Sequence, residues 1–296
     1  ARLNFHAFVS FDNVHFKFSD ELKIYQKMQT LLSEQEELLQ RLIEQRKRQW
    51  DERFNLAKQM VAQLIVDCGA IRFQSDNATN VINQTTDALQ KSVRDAESLC
   101  VKQLLKLYQF KQADLNDIQL PVKEGQWQLD LFSADNLQEL GIQLSSNMAK
   151  GAGLGVSIDL VTGGLTLGAA ALTGGLAGAL WGVKSRYYDE IHAKIKGSRY
   201  ICLNEATLQV LWLRQNKLLQ ALQKRGHASF DKIEYQIAEQ KNPDDSSDLK
   251  QGLPKNWSSW LRQLSNHPEW SSLNTGSVEV EASKRIRLLD KISASI

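Results

Sequence analysis

Gly178 to Ser185 read Gly-Ala-Leu-Trp-Gly-Val-Lys-Ser, which comes close to the pattern of a phosphate-binding loop. In that loop, backbone N–H groups that follow a strand surround the phosphates, and the second glycine directly precedes the lysine. Here Val183 stands before Lys184, and the residues ahead of the motif have a helical pattern. The sequence therefore predicts no phosphate loop at this position.

A second glycine motif, Gly151-Ala-Gly153-Leu-Gly155, resembles the start of a dinucleotide-binding turn. The fingerprint requires a third glycine for close packing of helix on strand. Val156 stands at that position. We therefore predict no cofactor-binding residue in this chain.

The histidines and cysteines do not form a recognisable catalytic or metal-binding pattern. No His-Glu-x-x-His pair, no Cys/His zinc spacing and no Gly-x-Ser-x-Gly elbow occurs. His192 follows Asp189 by three residues on a predicted helix, which is typical of a surface pair. The chain is thus predicted to have no catalytic or metal-ligating residue and not to be an enzyme. The remaining residues of these two types are His6, His15, His227, His267, Cys68, Cys100 and Cys202.

Composition narrows the class of protein and its partners. The net charge is +2, so charge alone predicts no nucleic-acid partner. Four prolines among 296 residues favour long helices. Three scattered cysteines in apolar helical patterns are typical of a reducing compartment, and residues 1–15 lack the apolar core of a secretion signal. We expect a cytoplasmic protein, and the first residue, Ala1, indicates either a processed start or a piece of a longer chain.

Apolar spacing predicts an all-α fold with one short strand at the start. Residues 3–11 alternate as in a strand, and a single strand requires a partner that this chain barely supplies. A long amphipathic helix from Ser19 or Asp20 to about residue 71 and a second helix over 82–107 predict an antiparallel hairpin. Further helices are predicted over 184–196, from the N-cap Asn204 to residue 225, from near Pro254, and over 279–292, with a polar linker at 242–252.

The most unusual feature is a glycine-rich apolar segment at 151–183, which holds ten of the seventeen glycines. Glycine costs about 1 kcal/mol against alanine within a helix, so this density suggests close backbone contact between two helices. We predict a helical hairpin that turns at 163–164, with a second arm over 165–183 of about the length that crosses a bilayer. The residues that define the segment are Gly151, Gly155, Gly163, Gly164, Gly168, Gly174, Gly178 and Gly182, with Trp181 near its end and Asp159 as its single charge.

Two interpretations of this hairpin stay open on the sequence. It is either a tightly packed hairpin inside a soluble helical domain, or a hairpin that enters or lies on a membrane. Interface aromatics and basic residues follow the second arm, as they do in membrane helices, whereas Asp159 disfavours burial of the first arm in lipid.

Three tryptophans near the C-terminus, Trp257, Trp260 and Trp270, have two explanations as well. Trp257 and Trp260 are three residues apart, on one face of a predicted helix. Core packing explains such a pair, and so does a surface that binds a protein partner.

Several segments together resemble an uncharacterised bacterial domain that follows a Ras-like, Era-type GTPase domain in one polypeptide. The resemblance covers about residues 50–273. The segments that carry it are Leu64-Ile-Val-Asp-Cys-Gly-Ala70, Leu120-Pro-Val-Lys-Glu-Gly-Gln-Trp127 with Asp130-Leu-Phe132, Ile158-Asp-Leu-Val-Thr-Gly-Gly-Leu-Thr-Leu-Gly168, and His267-Pro-Glu-Trp-Ser-Ser-Leu273.

The resemblance implies that residues 1–48 are the last strand and helix of such a GTPase domain, and that 49–296 form the helical domain that follows it. GTP and Mg²⁺ would then bind a missing N-terminal domain, because the phosphate loop, the Asp-x-x-Gly switch and the Asn-Lys-x-Asp motif are absent here. The implied partner is the chain's own GTPase domain.

Our leading functional hypothesis is a non-catalytic effector region of a bacterial GTPase. In it, the 20–72 helix couples nucleotide state to a membrane-seeking 151–183 hairpin at the inner membrane. One alternative is a soluble helical scaffold that binds a protein partner through the Trp257 and Trp260 region. A further alternative is a pore-forming hairpin protein.

Overall fold

The protein is described from a computed structural model, and the description covers residues 18–75, 78–109, 122–123, 125–133, 156–160, 199–224, 253–274 and 282–296. These residues are mostly helical, which confirms the predicted all-α class. The α-helices are α1 (Phe18–Leu31), α2 (Glu36–Ala70), α3 (Thr79–Leu107), α4 (Glu205–Lys224), α5 (Trp257–Asn266) and α6 (Ala282–Ser295). The strands are β1 (Phe73–Ser75), β2 (Val122–Lys123), β3 (Gln126–Trp127), β4 (Val156–Leu160) and β5 (Arg199–Leu203), and short 3-10 turns lie at Ser33–Gln35 and Pro268–Trp270.

The predicted helix from residue 19 to 71 is two helices, so that prediction was wrong in its continuity. The break lies at the Ser33–Gln35 turn, and α1 folds back along α2. Phe18 stacks on Trp50 with ring centroids 5.0 Å apart, and Arg46 donates to Glu21 at 2.6 Å. The apolar spacing continues through residues 31–32 without interruption, so it does not predict a break there. The contacts between α1 and α2 therefore determine where the chain turns.

The second half of α2 is the centre of the fold. From Val61 to Ile71 every residue except Gln63 is buried, and α3, α4, α5 and α6 all pack against this helix. The predicted antiparallel pairing with α3 is present, because the Cys100 thiol lies 3.8 Å from the Met60 carbonyl while Tyr108 lies near Arg53. The sequence-based boundary at residue 48 falls inside this continuous helix.

A three-stranded antiparallel sheet with the order β1-β5-β4 covers one end of the core. β5 pairs with β1, which directly follows α2, and with β4. The first arm of the predicted glycine-rich hairpin is therefore wrong as a helix, since Asp159 lies in β4 opposite Tyr200 of β5. The physical reason is the alternation Val-Ser-Ile-Asp-Leu, which suits a strand better than the helix that the glycine spacing predicts.

The rest of that hairpin lies outside the described residues. This applies to Gly151, Gly155, Gly163, Gly164, Gly168, Gly174, Gly178, Gly182 and Trp181, to the helix predicted over 184–196, to the strand predicted at 3–11 and to the linker at 242–252. In the described part of the chain, no helix is both long enough and apolar enough to cross a membrane.

The helices near the C-terminus match their predictions closely. Asn204 caps α4, because its side-chain oxygen accepts a hydrogen bond of 2.9 Å from the Thr207 backbone N–H. α5 begins at Trp257, three residues after Pro254, and α6 ends at Ser295, slightly beyond the predicted end. α4 crosses α2 and α3, which brings its buried face against both.

Candidate functional site

Three of the four segments that carry the family resemblance lie at two polar clusters on the core. We call the first the central cluster, made of Glu97, Arg214 and Gln215 with the 125–133 segment that covers it. The second is the C-terminal latch, made of Asp67, Ser271, Ser272, Asn274 and Arg285. Sequence analysis singled out the neighbouring segments and missed most of these polar residues.

The central cluster is a buried ion pair between two helices. Arg214 of α4 and Glu97 of α3 contact each other through two guanidinium nitrogens and both carboxylate oxygens, and their side chains are 2% and 4% exposed. Gln215 donates a further hydrogen bond of 2.7 Å to the same carboxylate. Burial lowers the pKa of Arg214 to about 9, which still leaves the guanidinium charged at neutral pH.

Arg214 also holds the 125–133 segment against the helices. Its Nη1 donates to the Leu129 carbonyl at 3.1 Å, and its guanidinium lies 5.3 Å from the centre of the Trp127 ring. The apolar side chains of Leu129 and Leu131 are buried beneath this segment. One arginine therefore joins α3, α4 and the chain between them.

A second arginine fixes the outer side of the same segment. Arg94 of α3 donates to both oxygens of Asp130, at 2.9 and 3.0 Å, and lies 4.7 Å from the Phe132 ring centre. The hydrogen bonds from Arg94 lower the pKa of Asp130, although partial burial acts the other way. Gly125, with φ of 74°, approaches Lys102 so closely that a Cβ atom would lie 2.3 Å from its Cγ. The Gly-Gln-Trp and Asp-Leu-Phe motifs are thus explained by their docking on α3.

The C-terminal latch joins the end of α2 to residues 271–274. The Asp67 carboxylate accepts hydrogen bonds from the Ser272 backbone N–H at 2.8 Å and from the Gln63 amide at 2.7 Å. The Ser271 hydroxyl donates to the Asp67 carbonyl, and Arg285 of α6 lies 3.8 Å from the carboxylate. The latch therefore brings three separate parts of the chain to one carboxylate.

Asn274 completes the latch at the last turn of α2. Its amide donates to the Ala70 carbonyl at 3.2 Å and its oxygen accepts from the Arg72 backbone N–H at 2.8 Å. The carbonyls of a helix end lack partners within the helix, so this side chain satisfies one of them. At the same point Gly69 permits close approach of α5, since a Cβ there would lie 2.5 Å from Leu264 Cδ1. The Asp-Cys-Gly-Ala and His-Pro-Glu-Trp motifs are therefore the two sides of one contact.

The three tryptophans named as a candidate partner surface lie in the core. Trp257, Trp260 and Trp270 are 4%, 4% and 2% exposed. Trp257 and Trp260 surround Trp212 of α4, with ring centroids 5.7 and 6.5 Å away. Their burial fits the packing explanation and leaves little of them for a partner to contact.

The thiols of Cys68 and Cys100 and the imidazole of His267 are also packed against other parts of the fold. Burial raises the pKa of Cys100 to about 12 and that of Cys68 further, so both thiols stay protonated at neutral pH. His267 stacks on Trp270 at 4.1 Å, and its Nδ1 lies 2.7 Å from the Glu269 carboxylate. Among the described residues, no group of three or more His, Cys, Asp and Glu side chains is placed to hold a metal ion.

The polar residues that the sequence analysis missed had a detectable signal. Glu97 lies at a core position of α3, four residues after Val93 and three before Cys100. Arg214 similarly lies three residues after the buried Leu211 and four before Leu218. A charge at an apolar position of each of two helices indicates a buried pair.

Comparison with known proteins identifies a family and nothing more specific. The family described as Domain of unknown function (DUF3482) matches residues 1–294. That match includes the segment 1–48, which the sequence analysis assigned to a GTPase domain, and the division at 48 stays a prediction. No curated protein and no solved structure matches the chain. Because this match covers almost its whole length, the chain belongs to the DUF3482 family of unknown function.

Proposed function

We propose that this chain is the non-catalytic, membrane-associating region of a bacterial GTP-binding protein, and that its glycine-rich segment is the part that meets lipid. One observation carries the proposal. In the antiparallel pair of β4 and β5, Leu160 is the register partner of Arg199. The chain from 161 to 198 therefore leaves and re-enters the core at neighbouring positions.

The sequence between these two anchors suits a membrane surface. Residues 161–183 carry no charged side chain, and residues 184–196 that follow are amphipathic, with more basic than acidic groups. Basic residues favour anionic headgroups, and Trp181, Tyr187 and Tyr188 are the types that prefer the interface. A segment of this composition is costly to leave in water unless something covers it.

The anchors also limit how the segment enters a bilayer. Since both ends start from one sheet, the chain must emerge on the side from which it entered. Two full crossings need roughly 40 apolar residues, and the uncharged stretch ends at Val183. The segment therefore enters part of the way or lies along the interface. The proposal thus differs from the bilayer-crossing arm that the length of 165–183 predicts, and it disfavours a pore of simple spanning helices.

The core supplies the connection to an upstream domain. α2 extends from the hairpin with α1, near the start of the chain, to the latch and to β1. β1 is hydrogen-bonded to β5, which holds one of the two anchors. A displacement of α2 by a GTPase domain would thus reach the anchors of the lipid-binding segment through two direct contacts. This route replaces the single continuous 20–72 helix of our first hypothesis.

Flotation with liposomes tests the proposal. We expect the wild-type chain to float with vesicles that contain anionic lipid, and the Gly174→Asp, Gly178→Asp double variant to stay in the dense fraction. The matched control is Gln103→Asp with Ser283→Asp, which adds the same charge at exposed positions outside the segment. Circular dichroism checks that each variant is folded.

The outcomes separate the proposal from its alternatives. A wild-type chain that does not float with any vesicle contradicts the membrane proposal and favours the soluble scaffold. Equal loss of flotation in the control would show that bulk charge, and not the glycine-rich segment, governs binding. Dye release from the vesicles would favour the pore-forming alternative.

For the intact GTP-binding protein, deletion of 161–183 provides the second test. We expect membrane association of the intact protein to depend on the bound nucleotide, and the deletion to abolish that association in every nucleotide state. Equal association of the intact protein in all nucleotide states would contradict the coupling part of the proposal.

A further inference from the structure

The turn that separates α1 from α2 lacks the residues that ordinarily end a helix. Residues 18–68 contain neither glycine nor proline. The residues that precede the Ser33–Gln35 turn and α2, Leu32 and Gln35, make no side-chain capping hydrogen bond. Fixed helix ends usually carry a side-chain cap, a glycine or a nearby proline. The local sequence therefore permits a helix that continues through the turn.

The apolar stripe of α1 also continues into α2. Tyr25, Met28, Leu32, Leu39 and Ile43 follow one another at intervals of three, four, seven and four residues. These intervals keep all five side chains on one face of a single straight helix. In the structure Leu39 and Ile43 are buried where α1 lies along α2, whereas Leu32 in the turn is 41% exposed. The same sequence is thus compatible with a hairpin and with one long helix.

The hairpin depends on a small set of contacts between α1 and α2. Phe18 stacks on Trp50 with ring centroids 5.0 Å apart, and Arg46 donates to both oxygens of Glu21 at 2.6 and 3.2 Å. α1 packs chiefly on α2 and hardly on the remainder of the described core. Release of α1 would therefore leave the packing of α3, α4, α5 and α6 on α2 in place.

A straight helix would compensate for part of this loss. Each helix end leaves N–H or C=O groups without partners inside the helix, and the turn adds two such ends. A helix that continues through residues 32–36 pairs these groups within itself. The hairpin instead gains the stack of Phe18 on Trp50 and the burial of Leu39 and Ile43. Two packings that exchange one set of interactions for another form the kind of element that switches between states.

The two arrangements place the start of α1 at very different positions. In the hairpin Phe18 lies beside Trp50, which is about 21 Å along α2 from Glu36 towards the core. In a straight helix Phe18 would lie about 27 Å beyond Glu36 in the opposite direction. The difference is about 48 Å at 1.5 Å per residue. Residues 1–17, and any domain attached to them, would be displaced together with Phe18.

We propose that α1 is a two-state element, which either folds back on α2 or joins it in one helix from Phe18 to Ala70. The hairpin keeps the start of the chain beside the core, and the straight helix moves it away. An upstream domain that binds one arrangement more tightly would shift the balance between them. This role for an upstream domain rests on the proposed function, whereas the two arrangements of α1 do not.

A distance measurement on the full chain tests the two states. Spin labels are attached at Gln26→Cys and Glu52→Cys, two exposed positions on α1 and α2, and the native cysteines are buried. The labels lie about 20 Å apart in the hairpin and about 39 Å apart in a straight helix. We expect the short distance to predominate in the otherwise wild-type chain. Trp50→Ala removes the stack and should raise the population near 39 Å by more than about tenfold.

Two further variants show whether the longer distance comes from a continuous helix. Trp50→Phe keeps an aromatic ring against Phe18 and should retain the short distance. Ser33→Pro suits the first position of the turn, but within a helix proline removes a backbone hydrogen bond and clashes with the preceding turn. Added to Trp50→Ala, it should abolish the population near 39 Å.

Three results would overturn the proposal. One is a Trp50→Ala chain that shows only the short distance. Another is a broad distribution without a maximum near 39 Å, since α1 would then detach without extending α2. The third is a 39 Å population that Ser33→Pro leaves unchanged. The measurement needs neither lipid nor nucleotide, so its failure is distinct from failure of the proposed function.

Discussion

Two ion pairs join helices in similar geometry and very different surroundings. One lies in the core, and the other lies in the arm, by which we mean α1, the Ser33–Gln35 turn and α2 up to Leu56. Arg46 contacts both oxygens of Glu21 across the hairpin of α1 and α2, with side chains 39% and 10% exposed. Arg214 contacts both oxygens of Glu97 across α3 and α4, with side chains 2% and 4% exposed. Because the two pairs share this geometry, any difference between the effects of removing them reflects how deeply each pair is buried.

This difference in exposure indicates that the core is held together more strongly than the arm, which is stabilised by fewer contacts. An exposed pair typically contributes about 0.2–1 kcal/mol, whereas removal of one partner from a buried pair costs about 3–5 kcal/mol. The arm has little other burial to stabilise it, while the central cluster lies among the largest buried side chains of the core. We therefore expect the arm to open at a lower free energy than the core.

The largest expected effect comes from breaking the buried pair. Glu97→Ala should lower the free energy of unfolding by about 3–5 kcal/mol, because it leaves the Arg214 charge buried without its carboxylate. Urea denaturation measures this change. The Glu97→Leu, Arg214→Met double variant is the control, and it should be far more stable than the single variant, since no buried charge remains. A double variant that is as unstable as Glu97→Ala would contradict the assignment of the cost to an unpaired charge.

A smaller effect is expected where α5 meets α2. Gly69→Ala should destabilise by about 1–3 kcal/mol, because the added Cβ overlaps the buried Leu264 side chain. The direction of this change in stability is informative, since replacing glycine by alanine within a helix ordinarily stabilises by about 0.5–1 kcal/mol. Thermal or urea unfolding measures it. In the presence of Leu264→Ala the cost of Gly69→Ala should largely disappear, and an undiminished cost would mean that the two residues are not in contact.

The corresponding change in the arm should be small and sensitive to salt. Arg46→Ala removes one partner of Glu21 and should lower stability by at most about 1 kcal/mol, since the 39% exposed guanidinium is screened by solvent and Tyr25 still donates to the carboxylate. Hydrogen exchange of amides in α1 should rise more than that of α3, because the effect is local. A global loss as large as that of Glu97→Ala would show that the arm and the core unfold as one unit.

The smallest expected effect is the pH dependence of the arm. Burial alone would raise the pKa of Glu21, but hydrogen bonds from Arg46 and Tyr25 outweigh it, so the pKa is lowered from its ordinary 4.5. A carboxyl with a lowered pKa in the folded state contributes stability that is complete above pH 4.5 and is lost as the pH falls below it. The protection factors of the α1 amides, which correct for the pH dependence of intrinsic exchange, should therefore fall under acid conditions in the wild type and depend less on pH in Glu21→Gln. The control Glu34→Gln, at an exposed position of the turn, should keep the wild-type dependence.

Much of the helical fold could be predicted from the sequence, because its signals are local. The cap at Asn204 and the stripes of α2 and α3 each follow from residues within a few turns. The break after Leu31 could not be predicted, since the contacts of Phe18 and Glu21 with α2 decide it. Long-range contacts of this kind leave no periodic signal.

The sheet and the polar clusters could be predicted only in part, for the same reason. β1 has three residues, too few for a period to be recognised, whereas the alternation in β4 lies within a glycine spacing that favours a helix. The charges at Glu97 and Arg214 were visible on apolar stripes, but their pairing depends on how α4 crosses α3. The motifs that carry the family resemblance indicated the segments beside the two polar clusters, but they did not indicate which segments contact one another.

The measurement that tests the central claim most directly is thiol labelling of the glycine-rich segment on vesicles. Single cysteines are introduced as Thr162→Cys, Leu172→Cys and Ser198→Cys, and a reagent that cannot cross membranes is added outside. The native Cys68, Cys100 and Cys202 are buried, so they should react slowly in the folded chain. We expect residues 162 and 198 to react with and without lipid, and residue 172 to be protected by lipid alone. Loss of labelling at only one end upon addition of vesicles, or equal labelling of residue 172 in both conditions, would contradict a segment that enters the membrane and returns to the same sheet.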